Sequence, residues 1–168
     1  MTSAPEIESA FVGACLMDPE RARSAIFNLN PNDFSDPLCQ RVFIAIRRMI
    51  ADGKPVDIIT LLPALRADNE LTPEDSLRID RAVDSAIPAH AAAYADMILT
   101  GASARRLKLT LADLAAGING DPLPALDKLR ALVEGESERL TTGHEDVFPR
   151  FTLSDLHALM LEPERNLA

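Results

Sequence analysis

In one segment after another of this 168-residue chain, apolar residues recur at three- and four-residue intervals, the spacing of one face of an α-helix. The clearest such run lies between Ser35 and Arg66. Leu38, Cys39, Val42, Phe43, Ala45, Ile46, Met49 and Ile50 fall on one side of a helical wheel, and Gln40, Arg41, Arg47, Arg48 and Ala51 fall on the other. Asp36 suits the N-cap, and Pro37 suits the first turn, where a missing N–H costs nothing. Gly53 can adopt the left-handed conformation that ends a helix, and Pro55 prevents an immediate restart. A second helix is predicted behind Pro55-Val56-Asp57, over 57–67, presenting Ile58, Leu61, Leu62 and Leu65. Pro63 inside it predicts a kink or a late start near Thr60. The rest of the chain is expected to be organised around this pair.

The flanking segments follow the same period. A first helix behind Pro5 runs to about Met17 with Ile7, Phe11, Ala14 and Cys15 on one face. Asp18-Pro19 ends it and opens a short helix through Ile26-Phe27. Residues 28–36 are turn-rich, with Leu29 and Phe34 pinning them to the core. Thr72-Pro73-Glu74-Asp75 is a helix start with acids at the positive end of the dipole. It leads into Leu77, Ile79, Val83 and Ala86 and stops before Pro88. From Ala89 to about Ile118 the pattern is helical, with an expected interruption at Gly101. Its apolar stripe is Tyr94, Ile98, Ala104, Leu107, Leu111, Leu114, Ala115 and Ile118. After a turn over 117–122, Leu123, Leu126, Leu129, Leu132 and Val133 continue on a helix to about Leu140. Two long helices joined by so short a turn should pack as an antiparallel hairpin. No alternating strand pattern occurs, so the predicted fold is all-α, with a helical head over 1–88 and a hairpin of the same domain over 89–140.

Residues 141–168 differ in character. Thr141 to Asp146 is a polar linker. Thr152 and Asp155 make a capping-box-like start for a short amphipathic helix bearing Leu153, Leu156, Leu159 and Met160. Such a helix has little left to bury against, so it is expected to dock on another domain or chain.

Composition narrows the reading. Hydrophobic residues are 47% of the chain, enough for a real core, while aromatics are 4% and Trp is absent, which favours helices built on Leu, Ile, Ala, Val and Met. A net charge of −9 argues against strong nucleic-acid binding by this piece alone. Cys15 and Cys39 both fall on apolar helix faces and read as buried free thiols in a reducing cytoplasm. No segment has the run of apolar residues needed to span a bilayer. The chain is therefore expected to be cytoplasmic, with no membrane partner.

Candidate chemistry is sparse. The seven glycines form neither a phosphate-cradling G-x-x-x-x-G-K-[ST] loop nor a G-x-G-x-x-G turn. His90, His144 and His157 are far apart and pair with no Cys or Asp at metal-ligand spacing. The carboxylate pairs Asp18/Glu20 and Glu74/Asp75 each open a helix, which accounts for them without acid–base catalysis. No catalytic, cofactor or metal residue is predicted. Arg105, Arg106 and Lys108 form the one basic cluster, either a solvated helix face or a contact for an acidic partner. Ile44 stands alone among Gln40, Arg41, Arg47 and Arg48 on the polar face of its helix, which makes Ile44, Arg41 and Arg48 candidates for an interface. Leu107, Leu111, Leu114, Leu126, Leu129 and Val133 either pack on each other within the hairpin or are covered by another subunit.

The motifs also have an order. Glu6-Ile7-Glu8-Ser9-Ala10-Phe11-Val12-Gly13-Ala14-Cys15-Leu16 precedes Asp18-Pro19-Glu20, then Leu29-Asn30-Pro31-Asn32-Asp33-Phe34, then Gln40-Arg41-Val42-Phe43-Ile44-Ala45-Ile46, then Gly53-Lys54-Pro55-Val56-Asp57, and finally Ile87-Pro88-Ala89 with Tyr94-Ala95-Asp96-Met97-Ile98. Over roughly 6–140 this succession resembles the N-terminal domain of replicative DNA helicases of the DnaB type. The resemblance implies an all-helical head whose hairpins pair, building dimers and, in the full-length protein, a hexameric collar that serves as a docking platform for primase or a helicase loader. It further implies that 152–161 corresponds to a linker helix toward a RecA-like ATPase domain absent from this chain, to which ATP and Mg would belong. Leu99-Thr100-Gly101-Ala102-Ser103 departs from the charged continuation usual in that family. The rival readings are a helicase-binding domain of a primase, a stand-alone loader, and a small all-α enzyme.

Overall fold

The computed structural model describes residues 3–67, 71–117 and 123–142. Seven α-helices make up the described chain: α1 (Ala4–Met17), α2 (Arg23–Asn28), α3 (Pro37–Ala51), α4 (Ile58–Ala67), α5 (Pro73–Ser85), α6 (Ala91–Gly117) and α7 (Leu123–Thr142). Single 3-10 turns at Pro31–Asp33 and Pro88–His90 lead into α3 and α6. No strand occurs among the described residues. α6 and α7 take up Gly117 of the predicted turn and Thr141 and Thr142 of the predicted linker, which are helical rather than turn or linker. The rest of that turn with Ile118, the rest of that linker, and the helix bearing Leu153, Leu156, Leu159 and Met160 lie outside the described residues.

Local sequence signals explain most helix ends. The Glu6 carboxylate accepts from the Ser3 N–H at 2.7 Å at the start of α1. Asp36 caps α3 by accepting from the N–H groups of Leu38 and Cys39 at 2.8 and 3.4 Å. At its far end Gly53 sits at φ +65°. There the Lys54 N–H reaches the Met49 carbonyl and the Gly53 N–H the Ile50 carbonyl, the two bonds of a left-handed helix stop. Thr72 and Asp75 cap each other's N–H groups at 3.1 and 3.2 Å and start α5.

Three expectations about where helices begin or break need correction. α2 begins at Arg23 rather than Pro19. Asp18 instead organises the preceding turn, accepting from the Arg21 N–H on its side chain and from the Ala22 N–H on its carbonyl. α4 starts without delay, because Asp57 and Thr60 cap one another. Pro63, in the second turn, then forgoes only the bond to the Ile59 carbonyl. Gly101 does not interrupt α6, which runs unbroken for 27 residues. One interior Gly costs only about 1 kcal/mol, and the Ala- and Leu-rich turns around it hold the helix together.

The centre is α1, not α3. α3, α5 and α6 all pack against it. Phe11, Val12, Gly13, Ala14, Cys15 and Leu16 are consecutive and all buried, so α1 is enclosed all round and not on one face. Phe11 joins Phe34 and Phe43 in an aromatic cluster with ring centroids 4.7–6.1 Å apart. Val42, Ile46, Leu61, Leu65, Ile79, Ile98 and Leu99 complete the core, each large side chain worth roughly 1.5–3 kcal/mol on burial. The α6 face that enters it is Ala91, Ala95, Ile98, Leu99 and Ala102. It is a band of mostly small residues displaced from the predicted stripe, whose Ala104 and Leu111 are exposed. Leu77, expected in the core, is also exposed.

Cys15 and Cys39 are free and buried, as expected. Burial pushes the Cys15 thiol far up and the Cys39 thiol up to about 12. A buried carboxylate ties the helices together where α3 begins. Glu8 of α1 accepts from the Ser35 N–H (2.8 Å), the Ser35 hydroxyl (2.6 Å) and the Asp36 N–H (2.8 Å). Asp36 in turn receives Arg78 of α5.

Candidate interaction surfaces

The hairpin of α6 and α7 is joined to the head by a buried ionic clasp. Asp33, at the end of the first 3-10 turn, is 0% exposed. Its carboxylate accepts from Asn30 N–H at 2.8 Å, from Arg106 Nη1 at 2.8 Å, and from Arg139 Nη2 at 3.0 and 3.1 Å. Its backbone carbonyl receives Arg105. Arg106 also grips Glu136 of α7 through Nε and Nη2, at 2.5 and 2.8 Å. The Ser103 hydroxyl donates to Glu136 at 2.5 Å. One guanidinium thus bridges both hairpin helices and the head.

The hydrogen bonds from Arg106, and secondarily the one from Ser103, hold the Glu136 carboxyl down at about 2 against the opposing effect of burial. The same contacts with Glu136 raise the Arg106 guanidinium above its ordinary value. Because the folded-state value of Glu136 lies below its ordinary 4.5, its stabilisation is complete above that pH and is lost as the pH falls through about 2. Replacing Glu136 by Gln should therefore flatten the acid side of the stability curve. In urea melts taken across that range, the gap between wild type and variant should close toward the acid end.

Arg105 and Arg106, predicted to contact a partner, are instead engaged within the chain by Asp33 and Glu136, whereas Lys108 of the same cluster is exposed. The predicted hairpin residues divide. Leu107, Leu114 and Leu129 are half-buried, but Leu111, Leu126 and Val133 are 49%, 57% and 47% exposed. Leu123, which the pattern placed at the head of the second hairpin stripe, and Leu109, which it did not single out, are exposed with them. Several apolar side chains are therefore exposed along the hairpin beyond the clasp.

The second surface is a groove of about 480 Å³ between α3 and α4. Ile44, Ala45, Met49, Ala64 and Leu65 provide its apolar lining, with Arg41, Arg48, Lys54 and Asp52 around them. Ile44 is 48% exposed. Three of the five predicted docking residues, Ile44, Arg41 and Arg48, thus come together in one feature. Arg41 Nη2 lies 3.2 Å from Asp75, while its buried Nε has no hydrogen-bond partner among the described residues.

Among the described residues no group of three His, Cys, Asp or Glu side chains stands close enough to hold a metal ion, and no helix is long and apolar enough to cross a membrane. What fold and surfaces define is an all-helical head carrying an apolar helical hairpin. The chain belongs to the DnaB-like helicase N-terminal domain family, whose pattern matches residues 1–100. It is 31% identical over 142 residues to the replicative DNA helicase DnaB of Rhodothermus marinus, a match covering 84% of this chain and 15% of that protein. To the replicative DNA helicase DnaB of Geobacillus stearothermophilus it is 30% identical over 112 residues, covering 66% of this chain and 25% of the relative. The chain thus spans a quarter or less of the length of these relatives. The crystal structure of the N-terminal domain of DnaB helicase from Mycobacterium tuberculosis superposes with a TM-score of 0.68 at 22% identity, covering 78% of this chain and 96% of that one, so the two share a fold. Of the readings left open by the sequence, the family is the helicase's.

Proposed function

We propose that this chain is a non-catalytic collar module of a replicative DNA helicase, mediating association between subunits and docking of primase or a loader. ATP and Mg chemistry would belong to an ATPase domain elsewhere in such a protein, and the 152–161 segment would lead toward it. The observation that carries this reading is the hairpin end. Its apolar residues Leu109, Leu111, Leu123, Leu126 and Val133 are exposed on paired helices, while the head buries its own core and closes the other end of the hairpin with ion pairs. A second hairpin is the simplest cover for such a surface, since like faces are self-complementary about a two-fold axis. The net charge of −9 leaves DNA contact to other parts of the protein.

Light scattering behind a sizing column, over a wide concentration range, tests the association. The expected result is a dimer, or dimers growing into hexamers. Leu111→Asp and Leu129→Asp should each return the chain to monomer with the helical signal of the head retained. If both variants keep the wild-type mass, the hairpin is not the interface.

A further inference from the structure

We infer that the hairpin is a latched lever: α6 pivots at Gly101, where it leaves the head, and the Asp33 clasp holds the hairpin at one angle or, when broken, lets it swing. The inference does not depend on what the hairpin binds. α6 belongs to two bodies. Ala91, Ala95, Ile98, Leu99 and Ala102 are buried in the head, whereas from Ala104 to Ala116 the helix is half-buried or exposed and packs on α7. Gly101 lies in the last turn before that border. Sharp helix kinks gather at a few features, a glycine with a nearby serine among them, and Gly101 stands two residues before Ser103. Space is open around it: a Cβ there would meet the Arg105 guanidinium at 3.6 Å and nothing else within 4 Å, so no other helix is wedged against the pivot.

The contacts that cross the border are mainly polar. Arg105, Arg106 and Arg139 all donate to Asp33. Among the described residues beyond Ala102, Leu140 is the one apolar side chain packed against the core. Arg106 and Arg139 keep 29% and 31% of their side chains exposed, so water can take over their donors as they leave the carboxylate. The bonds inside the hairpin survive that break, because Arg106 and Ser103 both hold Glu136, and α6 and α7 therefore move together. One buried carboxylate is thus the point at which the hairpin is held or freed. α7 ends at Thr142, three residues past Arg139, so tension along the chain after α7 acts directly on the latch. From Gly101 to Asp113 is about 18 Å of helix, and a swing of about 20° would carry Asp113 about 6 Å.

The test is a pulsed double electron–electron resonance measurement on the whole chain. Nitroxides are placed at Asp80→Cys on α5 and at either Asp113→Cys on α6 or Lys128→Cys on α7, all exposed positions, while Cys15 and Cys39 are buried away from the label. Excess unlabelled chain keeps the distances within one molecule. The wild type should give one narrow distance for each pair. Asp33→Asn should spread both by about 6 Å. Salt at about 1 M, where the Debye length is about 3 Å, should spread the wild type in the same sense. Gly101→Ala should restore the narrow distances in the Asp33→Asn chain and in salt, and leave the wild type at low salt unchanged. Circular dichroism melts confirm that the variants fold, and the salt series tests latch and pivot without Asp33→Asn if that variant does not. Distances that stay narrow without the clasp overturn the latch. A spread that Gly101→Ala does not reduce overturns the pivot. Movement at Lys128 with Asp113 fixed would mean that α7 peels away alone, and the lever would be wrong.

Discussion

Replacing Gly13 by Ala should destabilise the head by about 3 kcal/mol, the upper end of ordinary overpacking, and lower its melting temperature by roughly 10 °C. A Cβ built on Gly13 would lie 2.1 Å from the Ala82 carbonyl oxygen, 2.6 Å from its carbon and 2.8 Å from Ala86 Cβ. The first two are backbone atoms of α5 and cannot be turned aside as a side chain could. α5 would have to move off α1, and Ile79 and Ala82, buried in that contact, would move with it. Gly101→Ala provides the opposite case. Its added Cβ would meet only the Arg105 guanidinium at 3.6 Å, and removing a helix-interior glycine stabilises by up to about 1 kcal/mol. Thermal and urea denaturation followed by far-UV circular dichroism measures both. If Gly13→Ala melts with the wild type, the close approach of α1 and α5 is not what holds the head.

The two glycines mark what the sequence could convey. Both sit inside apolar helical patterns and have the same intrinsic propensity; only the fold tells that one is wedged between helices and the other faces Arg105. Features set by a few adjacent residues were legible. The Asp36 cap, the Gly53 stop, the Thr72 start and the buried side of α3 all follow from contacts within one or two turns. The oddity of Ile44 on a polar face was legible too, and the structure places it in a groove with Arg41 and Arg48. The clasp was not, because its partners are 73 and 106 residues apart in sequence. Asp33 looked like one more polar residue of a turn. Glu136 did leave a trace, since it falls on the helical line from Leu129 and Leu132 toward Leu140, where an apolar residue would be expected. Glu8 leaves a similar trace beside Phe11, Val12 and Cys15. A carboxylate set into an apolar stripe is the signal that would have pointed to both buried networks. Without it, Arg105 and Arg106 read as surface charges.

Replacing Asp33 by Ala should cost about 3 kcal/mol, the lower end for removing one member of a buried ion pair, and the loss should fall on the hairpin before the head. Asp33 is fully buried and answers two guanidinium groups and a backbone N–H. Arg106 and Arg139 are 29% and 31% exposed, so each can recover part of its hydration when the carboxylate is gone, which sets the lower figure. Arg106 would still hold Glu136 and so keep α6 and α7 together. The hairpin would then be expected to stay paired but lose its fixed angle to the head. Amide hydrogen exchange should accordingly rise in α7 and in the last turns of α6 while α1 and α3 keep their protection. A cycle with Arg139→Ala should show the double variant to be less damaged than the sum of the single ones, since both remove the same contact. Equal loss of protection throughout the chain would mean that Asp33 supports the core as a whole, and additive effects would mean that Arg139 does not act through it. If hairpins pair between subunits, the clasp is also what fixes each head relative to that pair. Asp33→Ala would then leave the dimer mass unchanged and broaden the range of shapes the dimer adopts in small-angle scattering.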